Sequence, residues 1–160
     1  MKFFWHIHGL RMMATGLLAT VSFACHASLG QAPTSFPDTA SSQAVRARAL
    51  AAGSANVTNY NVNTTKLTSG TVVREYVGSD GTVFAVSWNG PFMPDLRTLL
   101  GDQFKTMTTE AARRPMAGRS QLYIDRPDVS IESTGHMRAY AGRAWIKAQL
   151  PAGFNVQDIQ

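Results

Sequence analysis

The segment from Val72 to Leu96, VVREYVGSDGTVFAVSWNGPFMPDL, concentrates β-branched and aromatic residues around one strong turn signal. Asp80-Gly81 suits a tight hairpin turn, because both central positions of a type I′ turn need a positive φ, which Asp and Gly tolerate. The segments 71–77 and 82–88 are therefore predicted to pair as antiparallel strands. This hairpin is the centre of the predicted fold.

The two faces of the hairpin differ in polarity. Whether the turn holds two residues or four, two residues that face each other across the hairpin have sequence numbers that add up to an odd number. One face is then apolar except for a single carboxylate, and it carries Val73, Glu75, Val77, Phe84, Val86 and Trp88. The other face is mixed, and could be half solvated or covered by another element. Glu75 is thus predicted on the buried side.

A helix is predicted directly after the hairpin. Pro91 ends the strand, Pro94 presets the first helical turn, and Asp95 complements the positive end of the helix. Apolar residues then recur at helical spacing, at Leu96, Leu99, Leu100, Phe104, Met107 and Ala111. Pro115 and Gly118 favour an end to the helix soon afterwards.

The remaining segments complete an α+β pattern. The alanine-rich stretch 41–52 before Gly53 is predicted as a short helix, and further strands are predicted at 60–67, 122–124, 129–133 and 136–147. Gly142, inside the last strand, indicates a bulge or a close approach of another group. We expect one α+β domain over 41–160: an antiparallel sheet of five or six strands with two helices packed on one face.

The N-terminus has the pattern of an export signal. Lys2 and Arg11 precede an apolar run from Met12 to Ala24, and cleavage is expected after Ala27. This run is shorter than the roughly 20 residues of a membrane span. Uncleaved anchoring, or lipidation at Cys25, is a weaker alternative. Residues 28–40 are rich in Pro, Ser and Thr and are predicted to form a flexible leader, and no transmembrane segment is expected after cleavage.

Cleavage after Ala27 would change the chemistry available to the chain. The mature part would hold 133 residues, no cysteine, and His136 as its single histidine. Its thirteen basic and ten acidic residues give a net charge of +3, without the basic stripe of a nucleic-acid reader. We expect a periplasmic or secreted protein with no nucleic-acid partner.

Most catalytic and cofactor motifs are missing. Zinc needs three or four nitrogen or sulfur ligands, and the mature part has one histidine and no cysteine. Calcium could bind clustered carboxylates, but the EF-hand spacing is absent around Asp125, Asp128 and Glu132. No metal site is therefore predicted. Neither a G-x-S-x-G elbow nor a phosphate-binding glycine motif occurs. We therefore expect no cofactor. His136 is a weak candidate base at the start of a predicted strand.

Glu75 is the stronger catalytic candidate. A carboxyl group buried among aromatic residues has a raised pKa and could act as a general acid, with Asp95 or Glu132 as a second carboxylate. The alternative, which we favour, is that Glu75 lies near a sheet edge and pairs with an arginine such as Arg138 or Arg143.

Two groups of residues are candidates for binding. Four side chains could contact a small ligand: Trp88, Phe92, Arg138 and Tyr140. Core filling is the more common role for the aromatic ones. A basic patch of Arg138, Arg143 and Lys147 could hold a polyanion or a lipid surface, but Arg138 and Arg143 differ in strand parity, which disfavours a single patch.

Three segments carry a resemblance to a known family. GTVVREYVGSDGTVFAVSWNGPFMPDLRTLLG, STGHMRAYAGRAWI and LPAGFNVQDI, with Ser28-Leu29-Gly30 and Pro33 near the start, resemble the bacterial domain of unknown function 2844. The resemblance covers essentially the whole mature chain. It implies an exported protein and brings no catalytic residue with it.

The sequence therefore favours a small exported binding or accessory module without enzymatic activity. Its partner would be an envelope protein or a small ligand. The alternative is a periplasmic hydrolase or lyase that uses Glu75 as its acid or base. Binding to a polyanion or a lipid surface is a third, weaker hypothesis.

Overall fold

The computed structural model describes residues 29–50, 57–113 and 121–160. The predicted export signal, its cleavage site and Cys25 lie outside these residues. The described chain forms one antiparallel sheet of seven strands in the order β1-β2-β3-β4-β7-β6-β5. The strands are β1 Thr39–Leu50, β2 Val57–Leu67, β3 Val72–Val77, β4 Val83–Gly90, β5 Gln121–Asp125, β6 Val129–His136 and β7 Ala139–Ile146.

Two helices, α1 Leu96–Leu100 and α2 Gln103–Ala112, connect β4 to β5. The sequence predicted one continuous helix here. It breaks at Gly101, whose φ of 52° lies in the left-handed region that glycine adopts without steric cost. Asp95 accepts hydrogen bonds from the N–H groups of Arg97 and Thr98, and so begins α1 as predicted.

The predicted helix at 41–52 is wrong, because most of this segment belongs to β1. Eleven residue pairs join β1 to β2. Helix propensity is only a weak preference. It is overridden here because β1 pairs with the backbone groups along the whole outer edge of β2. This strand raises the count to seven, where five or six were expected.

A second correction concerns the end of β6. The strand predicted over 136–147 is divided, because His136 ends β6 and pairs with Ala139 across the turn Met137-Arg138. Arg138 has a φ of 63° and is the only non-glycine residue with a positive φ in the described chain. The three predicted strands of this region are otherwise present as β5, β6 and β7.

The predicted hairpin is β3 and β4, and it has the expected register up to its turn. Val73 pairs with Trp88, and Glu75 with Val86. The register then shifts between Tyr76 and Val77. This irregularity places Val83, not Phe84, in the cluster with Val77, so the prediction for Phe84 is wrong.

Each face of the sheet has its own core. On one, here called the helix face, Val73, Val86 and Trp88 pack with the leucines of α1, and Leu29 and Phe36 complete the cluster. The segment predicted as a flexible leader contributes these last two side chains, and the N–H of Leu29 donates to the carbonyl of Leu99.

The other face, here called the tail face, is covered by the C-terminal segment 147–160. Rings of Tyr60, Tyr76, Phe84 and Phe154 pack with centroids 5.0–6.3 Å apart. The sequence left this face open between solvation and a covering element. The chain covers it with its own end.

Gly142 is a close-approach position, which is one of the two alternatives that the sequence indicated. A Cβ added there would lie 2.2 Å from Cζ2 of Trp88 and 2.6 Å from the carbonyl oxygen of Glu132. The ring of Trp88 thus fills the space that a side chain at 142 would need.

We expect Gly142→Ala to lower the free energy of unfolding by about 1–3 kcal/mol, because the added methyl group overpacks the Trp88 site. Urea denaturation followed by tryptophan fluorescence measures this change. Ala139→Ser, at an exposed position of the same strand, is the control and should stay close to the original stability. Equal stability of the two variants would contradict the packing assigned to Gly142.

Candidate functional site

A groove on the helix face has a volume of about 580 Å³. It lies between α2 and the ends of β5, β6 and β7. Its lining consists of small, sulfur-containing and aromatic side chains with a few neutral polar ones: Met93, Met107, Thr108, Ala111, Ala112, Gln121, Leu122, Ser133, Gly135 and Tyr140.

The groove exists because α2 does not pack tightly on the sheet. In α1, Leu96, Leu99 and Leu100 are all buried, whereas α2 has no buried residue. Phe104 and Met107 are only partly buried against the core. The cavity lies beside the second half of α2, where Met107, Thr108 and Ala111 line it.

The chemistry of the groove is that of an apolar binding site. Among the described residues that line it there is no carboxylate, histidine, lysine or arginine, and Tyr140 is the only one of them whose side chain has a titratable proton. Its volume falls in the range of about 300–1,000 Å³ that is typical of small-molecule sites, which are mostly apolar with a few polar groups. Met side chains are flexible and adapt to ligands of irregular shape.

One end of the groove reaches an exposed apolar rim. Gly90 of β4 pairs with Tyr140 of β7, so the loop after β4 and the turn before β7 lie at the same end of the sheet. Phe92, Met93 and Met137 are 56%, 42% and 91% exposed there. Exposed large apolar side chains grouped at a groove are typical of binding surfaces.

The four predicted ligand-binding residues do not share one cavity. Tyr140 lines the groove, and the strand pairing brings Phe92 and Arg138 to the same end of the sheet. Trp88 is 2% exposed and belongs to the core of the helix face. Sequence reasoning missed Met93, Leu122, Ser133 and Gly135, and assigned Met107 and Ala111 to a packed helix face. No local pattern marks them, because they come from the loop after β4, from α2, from β5 and from β6, which are distant in the sequence.

Glu75 is buried, as predicted, with 2% of its surface exposed. One carboxylate oxygen accepts a hydrogen bond of 2.8 Å from the N–H of Thr34, in the segment before β1. Burial raises the pKa of Glu75, and the contacts with Thr34 partly oppose this rise. No ion pair joins Glu75 to a basic residue of the described chain, so the expected pairing with Arg138 or Arg143 is wrong. The expected position near a sheet edge is wrong as well, because β3 is paired with both β2 and β4.

The second carboxylates considered for Glu75 have other partners. Asp95 caps α1, and the hydrogen bond from the Thr98 hydroxyl is the main cause that lowers its pKa. Glu132 forms an ion pair of 2.7 Å with Arg143 and lines a cavity of about 350 Å³ on the tail face. Glu75 lines neither this cavity nor the one beside Asp95.

The structure also places His136 and the three residues of the predicted basic patch in different surroundings. His136 is exposed at the end of β6. Arg143 pairs with Glu132, and Lys147 pairs with Asp125. The hydrogen bond from Lys147 is the main cause that lowers the pKa of Asp125. Arg138 is therefore separated from the other two members of that patch.

Two further features are absent from the part of the chain that the structure describes. No group of three or more His, Cys, Asp or Glu side chains could hold a metal ion there. Asp125, Asp128 and Glu132 each pair with a different basic side chain. None of the helices in the described part of the chain is long and apolar enough to cross a membrane.

Comparison with known proteins gave one match. A family model described as "Protein of unknown function (DUF2844)" matches residues 25–159. No curated protein and no solved structure matches the chain.

The buried carboxyl group of Glu75 should make stability depend on pH. Its folded-state pKa is raised, so the folded chain binds this proton more tightly than the unfolded chain. The free energy of unfolding then falls as the pH rises from the ordinary value of about 4.3 through the raised one. Glu75→Gln removes this titration. As the pH rises from 4 to 8, the Tm of the variant should therefore increase relative to that of the original protein, by about 4 °C for each kcal/mol of unfolding free energy that the original protein loses.

Thermal unfolding followed by circular dichroism at pH 4, 6 and 8 measures this difference. Asp95→Asn is the matched control with the opposite sign, because the pKa of Asp95 is lowered and its stabilising effect is lost as the pH falls. A Tm difference for Glu75→Gln that does not change with pH would contradict the raised pKa.

Proposed function

The chain belongs to the DUF2844 family of proteins of unknown function, and we propose that it is an exported, non-enzymatic binding module whose groove holds a small apolar molecule. The export part of this proposal is supported by the sequence of residues 1–27, and it puts the protein in the periplasm or outside the cell. The binding part is supported by the groove beside α2.

The single observation that carries the proposal is the composition of the groove. A cavity of about 580 Å³ is lined by methionine, alanine, leucine and tyrosine side chains, with Thr108, Gln121 and Ser133 as neutral polar groups. Moving apolar surface of a ligand from water into such a site is favourable by about 25 cal/mol per Å². The neutral polar groups can orient a ligand by hydrogen bonds without the cost of burying a charge.

The catalytic alternative has less support from the geometry. Glu75 is covered by the segment that contains Thr34, and its exposed fraction of 2% leaves a substrate no access. His136 is exposed at a hairpin end, and no carboxylate of a described residue forms an ion pair with it. A general acid or base must reach its substrate within about 3 Å, directly or through one water molecule.

The binding proposal is tested with N-phenyl-1-naphthylamine, an uncharged fluorescent probe that becomes bright in apolar surroundings. We expect saturable binding to the purified chain. Ala111→Trp fills the groove from α2 and should weaken this binding by at least about tenfold, or roughly 1.4 kcal/mol. Titration by fluorescence gives the dissociation constants.

Thr109→Trp is the matched control, because Thr109 lies on the same helix and lines a different cavity, beside Lys105 and Arg113. It should bind the probe like the original protein. Circular dichroism establishes that both variants are folded. The proposal fails if the original protein does not bind the probe, or if the two tryptophan variants bind it equally.

A further inference from the structure

We propose that the ligand of the groove is a single-chain amphiphile with an anionic head group. Its apolar chain lies between α2 and the ends of β5, β6 and β7, and its head group lies at the β6–β7 turn beside Arg138. This inference rests on the proposed function and adds the ligand class and the residue that selects it.

Strand pairing fixes the place of Arg138 relative to the groove. Tyr140 and Gly135 both line the groove, and they are paired across β7 and β6. Arg138 lies in the turn just beyond this pair, two residues from Tyr140, or about 7 Å along the strand. A ligand that extends past Tyr140 therefore reaches the turn.

The charge of Arg138 is available to a ligand. The other basic residues of the described chain from position 113 onward are all in ion pairs: Arg113 and Arg126 with Glu110, Arg143 with Glu132, and Lys147 with Asp125. Arg138 is exposed and forms no ion pair with a described residue. A guanidinium group binds carboxylate and phosphate with charge-assisted hydrogen bonds, which are the strong ones.

Arg138 also stands where a glycine would fit better. Five of the six described residues with a positive φ are glycines, and Arg138 is the sixth. A non-glycine residue in the left-handed region costs about 1–2 kcal/mol. The turn therefore carries a long cationic side chain at a conformational cost, which is consistent with a role for that side chain outside the fold.

The surroundings of the turn suit the junction between an apolar chain and a charged head. Phe92, Met93 and Met137 form the exposed apolar rim at this end of the groove. The stretch from Ser133 to Ala141, STGHMRAYA, contains no acidic residue that would repel an anion. Apolar contacts in the groove followed by one cation at its mouth match an amphiphile with one chain and one negative head.

The test compares dodecanoate with dodecan-1-ol, which share a chain and differ in head-group charge. Each compound is titrated, below its micelle concentration, against N-phenyl-1-naphthylamine bound in the groove, and displacement of this probe gives its affinity. We expect the original protein to prefer dodecanoate by at least about tenfold, the size of one charge-assisted hydrogen bond. Arg138→Gln should remove this preference and leave the affinity for dodecan-1-ol unchanged.

Arg46→Gln is the control, because Arg46 is exposed on β1, at the far edge of the sheet, and its loss should leave the preference intact. The preference should also shrink as salt is added, since the contact is exposed. Equal affinity for the two compounds, or a preference that survives in Arg138→Gln, overturns the inference while the apolar site stands. Failure of both compounds to displace the bound probe overturns it too. Failure of the probe itself to bind removes the proposed function as well.

A membrane surface is the competing source of the same anionic chemistry. Sedimentation with phosphatidylglycerol vesicles distinguishes the two. If the protein binds these vesicles through Arg138 but dodecanoate does not displace the probe, the turn is a membrane contact and the inference is overturned. If dodecanoate binds and the vesicles do not sediment the protein, the single-chain assignment is supported.

Discussion

The burial of β4 on both faces is the constraint on which the rest of the structure depends. Its six residues from Val83 to Trp88 are all buried. A strand at the centre of a seven-stranded sheet has both of its edges paired, so burial of both faces needs two separate covers. The chain supplies the segment 29–38 and the helices for one face, and its C-terminal segment for the other. Each cover brings apolar side chains of its own.

Polar groups fix both covers in place. On the tail face, four side chains of the sheet bind the backbone of the C-terminal segment: Arg74 and Ser87 donate to Gln160, Tyr76 donates to Asp158, and Arg143 donates to Val156. On the helix face, Glu75 accepts from the backbone of Thr34. Apart from the exposed bond from Arg74, these bonds lie in part-buried surroundings, where a polar group left without a partner costs about 1–3 kcal/mol. The buried carboxyl group is thus part of the architecture.

The groove lies beside this core and is not part of it. The buried leucines of α1 contribute to the core, whereas α2 contributes only partly buried side chains. The sequence predicted one helix over this region and identified its apolar face. It could not show that Gly101 divides the helix in two, or that the second helix is only partly buried against the sheet. It likewise selected Phe92, Arg138 and Tyr140 together with the buried Trp88. The pairing of Gly90 with Tyr140, a contact across 50 positions, brings the first three to one end of the sheet, whereas Trp88 is buried in the core.

The sequence by itself determined the β3–β4 hairpin, the end of β4 at Pro91 and the start of a helix at Asp95. These features depend on turn residues and caps that act over a few positions. It also placed Glu75 on the side expected to be buried, and it offered a close approach as one of two interpretations of Gly142. The tertiary structure alone decided that the alanine- and arginine-rich segment is a strand, because helix propensity is weak and the ladder with β2 is long. It also decided where the groove lies, because a space between a helix and three strands depends on packing between elements that are distant in the chain.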